Sequence, residues 1–440
     1  MTTIRSSRPS SAVIPSTVPR TCIVPRVPPA PSSILGAVIA GLALLGVLVR
    51  PWRINEAWWA AAGAAVLVLT GVLSPHAAGT ALARGVDVYL FLIGMMALAE
   101  FARVEGVFDW IASVAVRAAR GSRARLLLLV YVAGIATTAL LSNDATIVVL
   151  TPAVIAALAR TDARPDGYVF ACALVANAAS FLLPIANPSN LLFFADGMPP
   201  LATWFASFGL ASIASVAATY AALRLIFARD VTAPLAARHE PVPAPRPAAI
   251  AALIVAAAVL IATSSFAGRL GATAFGLGLV AMLVALTRAR TAPGAIARGI
   301  AWPIIVLTAA LFVLVAALDA AGAVTLSRGL FAWAQSVSAP IAQIGVACAA
   351  ALASNLVNNL PVALELGTYT GAAHPPAALS AAALVGVNVG PNFTVNGSLA
   401  TLLWLAILRR AGVQIGARRF AVVGLLATPV ALIAAALLAR

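Results

Sequence analysis

The chain has 440 residues, 62% of them hydrophobic and only 9% charged, with a mean hydropathy of +1.03. That charge is too sparse to coat a soluble protein of this length, and long apolar runs recur from end to end, each able to cross about 30 Å of hydrocarbon as a helix. The net charge of +15 comes wholly from Arg, with no Lys, and the arginines cluster in short segments between apolar runs, a positive-inside pattern and not a nucleic-acid-binding stripe.

Residues 1–33 are rich in Pro, Ser and Arg and are expected to be a disordered tail, without the features of a cleavable signal. Apolar runs follow at 34–49, 57–73 and 87–104, and then a basic stretch at 116–125. A block at 126–160 is interrupted by "LSNDAT", a second at 168–195 by "PIANPSN", and a run at 204–227 closes the first half. The Pro-rich, charged segment 228–248 is expected to be a cytoplasmic linker. The second half, 249–440, repeats the plan: runs at 249–267, 271–287 and 301–321, a block at 339–372 interrupted by "SNLVNNLP", a block at 377–411 interrupted by "VGPNFTVNGS", and a last run at 419–438. Even "RVEG" at 103–106 finds its counterpart in "DAAG" at 319–322. The fold expected is an all-α polytopic membrane protein with two repeats, 34–227 and 249–440.

If each polar-tipped block is a re-entrant hairpin, each half crosses the membrane five times, an odd number, and the repeats are inverted. Arg117, Arg120, Arg123, Arg125, Arg160 and Arg164 flank the first hairpin and place its base in the cytoplasm, whereas 332–340 and 368–376 hold no Arg and place the second base outside. The same parity puts the Arg-bearing tail outside, against the rule. One helix of each five, the block with the second interruption, is expected to be unwound.

Free backbone groups survive at membrane depth only against protein or a water-filled cavity, so the four polar interruptions are expected to converge. They supply the candidate substrate-binding residues Ser142, Asn143, Asp144 and Thr146; Asn187, Ser189 and Asn190; Asn355, Asn358 and Asn359; and Asn392, Thr394, Asn396, Gly397 and Ser398. Half-helix ends and neutral Asn, Ser and Thr groups can bind a small polar solute without a salt bridge. For any one Asn the competing reading is helix–helix glue worth about 1 kcal/mol. Asp144 stands apart, because a carboxylate at that depth costs about 3 kcal/mol or more and marks an ion or proton path; a permanently protonated or capping Asp is the alternative. Glu365 follows Pro361 by one turn, facing either the centre or the outer mouth, while Glu100, Arg103 and Asp319 are expected to pair structurally. The clusters contain no Arg, which leans towards a neutral or cationic solute. Cys22, Cys172 and Cys348 are too scattered for a disulfide framework or a thiol metal site, and His76, His239 and His374 fall near span ends, so no catalytic centre, metal or cofactor is expected.

From about residue 34 to the end the chain resembles the ArsB-type arsenite/antimonite efflux permeases of the ion-transporter superfamily. The resemblance rests on "LSNDATIVVLTP" (141–152), "NPSN" (187–190), "NLVNNLP" (355–361) and, most specifically, "GPNFTVNGSLATLLWL" (390–405). It implies a multi-pass protein of the cell (inner, plasma) membrane that exports a small metalloid oxyacid, arsenite or antimonite, against inward protons; the carboxylate of Asp144 is then the best candidate for the proton carrier. Some members associate with a soluble ATPase subunit, so such a partner is a further implication. The alternative within the superfamily is a sodium/proton antiporter or an exporter of another metalloid or small anion.

Overall fold

The computed structural model describes residues 31–50, 54–236, 242–266, 269–288, 299–322 and 324–440. The expected tail lies outside the described residues except for its last three, which already belong to the first helix.

The apolar runs become α1 (Pro31–Val49), α2 (Glu56–Leu69) and α4 (Val86–Val104), with a ten-residue helix α3 (Pro75–Arg84) bent by 45° against α4. Next come α5 (Val107–Ala118), the hairpin limbs α6 (Arg123–Leu140) and α7 (Asn143–Leu158), the broken pair α8 (Asp166–Ala178) and α9 (Pro188–Phe193), and α10 (Leu201–Ile226). The second half holds α11 (Pro247–Ser265), α12 (Leu270–Arg288), α13 (Trp302–Ala320), α14 (Val324–Gln335), the hairpin limbs α15 (Ala339–Val357) and α16 (Asn359–Ala373), the broken pair α17 (Ala377–Val389) and α18 (Leu399–Arg410), and α19 (Ala417–Leu438). Among the described residues seven helices are long and apolar enough to cross a membrane, or eight if α3 and α4 form one bent span.

The element order of the second half repeats that of the first, and packing partners exchange accordingly. Helix α4 lies along α12 while α13 lies along α2, the closing helices α10 and α19 pack on each other, and α6 against α8 matches α15 against α17. The turns after α4 and α13 both use a glycine in the left-handed region, Gly106 (φ 72°) and Gly322 (φ 94°), where "RVEG" and "DAAG" stand.

Three helices were absent from the sequence expectation. α3, α5 and α14 are 10–12 residues long and amphipathic, too short and too polar to register as spans. The linker is also more ordered than its composition implied. Residues Ala228–Val231 form a helical turn, and the next segment is pinned to the base of the first hairpin: Leu235 donates its N–H to Gly121 O (2.8 Å), Ala236 donates to Asp162 Oδ1 (3.0 Å), and Arg123 pairs with Asp162 (2.9 Å).

Candidate functional site

Each hairpin turns on a side-chain cap. After Leu140 the chain turns at Leu141–Ser142, where Ser142 Oγ accepts from Ala145 N–H (3.1 Å) and Asn143 Oδ1 from Asp144 N–H (2.9 Å), starting α7 at the tip. Pro152 cannot donate, and α7 widens before it: Thr146–Leu150 forms a π segment, with Thr151 N–H and Oγ1 both directed at Thr146 O. At the second tip Asn358 adopts φ 79°, a conformation uncommon for a residue with a Cβ, and its Oδ1 caps α16 through Leu360 N–H (3.2 Å). Asn359 N–H reaches across to Gly397 O (3.1 Å), tying this tip to the break between α17 and α18. Asn355 reinforces the tie, donating to Gly390 O and accepting from Thr394 Oγ1 (2.8 and 2.7 Å).

The breaks use the same device. Asn187 Oδ1 caps α9 through Ser189 N–H (3.0 Å), with Pro188 in its first turn, and Ser398 Oγ caps α18 through Ala400 N–H (3.1 Å). The interruptions therefore do converge. A cavity of about 20 Å³ is lined by Asn143, Asp144, Asn187, Pro188, Ile304, Asn359, Leu360, Ser398 and Ala400. Four helix N-termini meet there, those of α7, α9, α16 and α18, their first N–H groups capped by Ser142, Asn143, Asn187, Asn358 and Ser398 and their ends carrying a partial positive charge. Among the described residues lining it, Asp144 is the one carboxylate. The space is about that of one water molecule.

Asp144 also lines a second, larger cavity of about 340 Å³, together with Ser142, Val148, Leu403, Glu100 and Arg103. This vestibule runs from the hairpin tip to the last turn of α4. There Glu100, 5% exposed, accepts both Nε (2.7 Å) and Nη2 (2.5 Å) of Arg103, and Gly299 lies so close that a Cβ would collide with the carboxylate. Glu100 and Arg103 pair as expected, but Asp319 does not join them; it lies near Glu365 at the far end of α13, where Ser327 donates to Glu365 Oε1 (2.6 Å).

The remaining candidates are scaffolding neighbours of the cavity. Thr146, fully buried, shares a hydrogen bond with Thr138 (2.8 Å). Ser189 and Asn190 join a buried network around Asn388, and Asn392 Oδ1 accepts from Asn177 (2.9 Å). Asn396 is half-buried in the second break and does not line the cavity. Sequence reasoning missed Asn177, Ser180 and Asn388. Asn388 Oδ1 accepts from Ser180 (2.6 Å) and Asn187 (2.8 Å), while its Nδ2 donates to Asn190 Oδ1 (3.0 Å) and Leu384 O (3.0 Å), bonding one half to the other. The available signal was positional: Asn177 and Asn388 each end an otherwise apolar helix, one residue from its last. Among the described residues no group of three or more His, Cys, Asp or Glu is placed to hold a metal ion.

A polytopic helical protein in which two hairpins and two broken helices enclose one polar centre is a membrane transporter. The chain belongs to the citrate transporter (CitMHS) family, whose model matches residues 41–389. It is similar to the arsenical pump membrane proteins of Yersinia enterocolitica (27% identity over 402 residues, 87% of this chain and 92% of that protein) and Escherichia coli strain K12 (26% over 399 residues, with the same coverage). An uncharacterized transporter of Mycobacterium tuberculosis, Rv2684, is 26% identical over 417 residues, 89% of this chain and 94% of that protein. The resemblance to ArsB-type permeases is thus borne out along most of the chain. Among solved structures, the YdaH transporter of Alcanivorax borkumensis shares the fold, with a TM-score of 0.56 at 16% identity, covering 92% of this chain and 97% of that one.

Proposed function

We propose that this protein exports a trivalent arsenic or antimony oxyacid from the cytoplasm in exchange for protons. The observation that carries the reading is the enclosed centre, where a single carboxylate faces four helix N-termini among neutral amide and hydroxyl groups. An oxyacid such as As(OH)3 offers both kinds of partner: its oxygens accept from Asn amide and Ser hydroxyl groups, and its O–H groups donate to Asp144 and to Asn oxygens. A protonated Asp144 no longer accepts in the same way, so proton and substrate compete for one place. Competition of that kind is the basis of exchange. Relatives named as arsenical pump membrane proteins support the substrate class.

In this reading the repeats 34–227 and 249–440 are inverted, and the vestibule that joins Asp144 to Glu100 and Arg103 is an approach to the centre. Asn143, Asp144, Asn187, Asn359 and Ser398 contact the substrate, and the other polar residues of the four clusters hold them in place.

The test is arsenite accumulation in inverted vesicles, with a proton gradient and ATP supplied separately. The wild type should accumulate arsenite under the gradient alone, and Asp144→Asn should lose at least about 90% of that uptake, in the range of losing a positioned acid–base group, at unchanged protein level. Full gradient-driven uptake by the Asn variant would remove the proton-carrier role, and uptake only with ATP and a soluble subunit would favour an ATP-driven pump. A second reading, transport of a small oxyanion, is favoured by the four N-termini. Arsenate, an anion at neutral pH, separates the two: only an oxyanion site would carry it as well as arsenite.

A further inference from the structure

Helix α5 is amphipathic, and its apolar side faces the first limb of the hairpin, α6, with α11 beyond it. Between the three lies a groove of about 390 Å³, walled by side chains such as Val114, Leu129, Val132, Ala136, Ile250 and Ile254, with Thr137 its one hydroxyl. Val132 (49%) and Ile254 (63%) are exposed, so the groove is open at its side and not sealed within the protein. Both α6 and α11 have the length and hydropathy of membrane spans, so the opening faces hydrocarbon. Water gains nothing in an apolar space, and walls without contact atoms forfeit dispersion energy.

One end of the groove is basic. Arg117 lies three residues beyond Val114 on α5 and Arg125 four before Leu129 on α6, so each shares a helical face with a groove residue, and Arg246 is the N-cap of α11, one turn before Ile250. Arg117 and Arg125 lie at the same end, since a short turn through Ser122 joins α5 to α6, and Arg246 stands at the start of α11, before the groove residue Ile250. All three are exposed. Arg117 donates to a neutral partner, Ser113 Oγ (2.6 Å), and none of the three has a carboxylate partner among the described residues.

We infer that this groove is a binding site for an anionic phospholipid, one acyl chain lying between α5, α6 and α11 and the phosphate held by Arg117, Arg125 and Arg246. An apolar slot with three arginines that lack a carboxylate partner matches a molecule with a hydrocarbon body and an anionic head, and basic pockets between helices on the cytoplasmic face suit such head groups.

The test is native mass spectrometry of the full chain released from nanodiscs of equal parts dioleoyl phosphatidylglycerol and dioleoyl phosphatidylcholine. The wild type should retain phosphatidylglycerol in preference, with enrichment falling by about fivefold for each arginine changed to Gln. The triple variant with Lys at these positions should keep the preference. Ala136→Phe, at an exposed position that fills the groove, should lose retained lipid with all three arginines in place. Wild-type enrichment in the triple Gln variant, equal retention of both lipids by the wild type, or undiminished retention by Ala136→Phe would each overturn the site.

Discussion

At the scale of single residues, the two asparagines that end α8 and α17 occupy equivalent places but carry unequal loads. Asn388 satisfies both ends of its amide across the interface of the halves, whereas Asn177 donates to Asn392 and leaves its Oδ1 buried without a partner. Truncating Asn388 strands Asn187, Ser180 and Asn190 in a buried setting, a loss of about 1–3 kcal/mol; truncating Asn177 removes one orphan along with one bond. Asn388→Ala should therefore lower the melting temperature in detergent clearly more than Asn177→Ala. Equal shifts would mean that the network is not what holds the broken helices. Neither residue was legible in the sequence as more than helix–helix glue, because one amide in an apolar helix carries no sign of its partner. Asp144 was legible, because a carboxylate between "LSN" and "ATIVV" has no apolar explanation. Its counterpart on the second tip is the neutral Asn359, and both line the same cavity.

At the scale of elements, the hairpins and broken helices were readable from Pro, Gly and Asn inside long apolar runs, and the structure puts their ends within a residue or a few of those interruptions. The amphipathic helices were not, since a ten- or twelve-residue segment mixing Arg, Asp and Ala has the composition of a loop. Nor was the closeness of α4 to α12. A Cβ on Gly94 would fall 2.2 Å from the Ala274 carbonyl, and one on Gly278 would fall 2.6 Å from Gly94 O, so the two backbones nearly touch. Small residues at such a crossing let helices gain dispersion contacts where lipid offers no hydrophobic drive. Gly94→Leu has no space to occupy and should destabilise the protein by more than about 2 kcal/mol, read as lost monodisperse protein on size exclusion. Gly276→Leu, on the same helix as Gly278 but with open space around it, should be tolerated.

At the scale of the whole molecule, the segment after α10, through Leu235 and Ala236, is a strap across the base of the first hairpin, a role invisible in its composition because its own contribution is made by backbone groups. Asp162 is the buckle. The Ala236 N–H and then the Arg123 guanidinium hold its carboxyl below the usual carboxylate range. A carboxylate held low contributes fully above its ordinary value near pH 4, and that contribution is lost as pH falls through the lowered folded value. Protection of the Leu235 and Ala236 amides, measured against their intrinsic exchange rates, should therefore be high at neutral pH and fall on strong acidification, and Asp162→Asn should lower it at neutral pH; unchanged protection in that variant would mean that the strap holds without it.

The centre itself has a consequence for the cell that houses the protein. A space of about one water molecule between two hairpin tips is too small for a continuous thread of hydrogen-bonded water. A copy resting in this conformation is an insulator. A membrane can then be crowded with resting copies and keep its electrical potential.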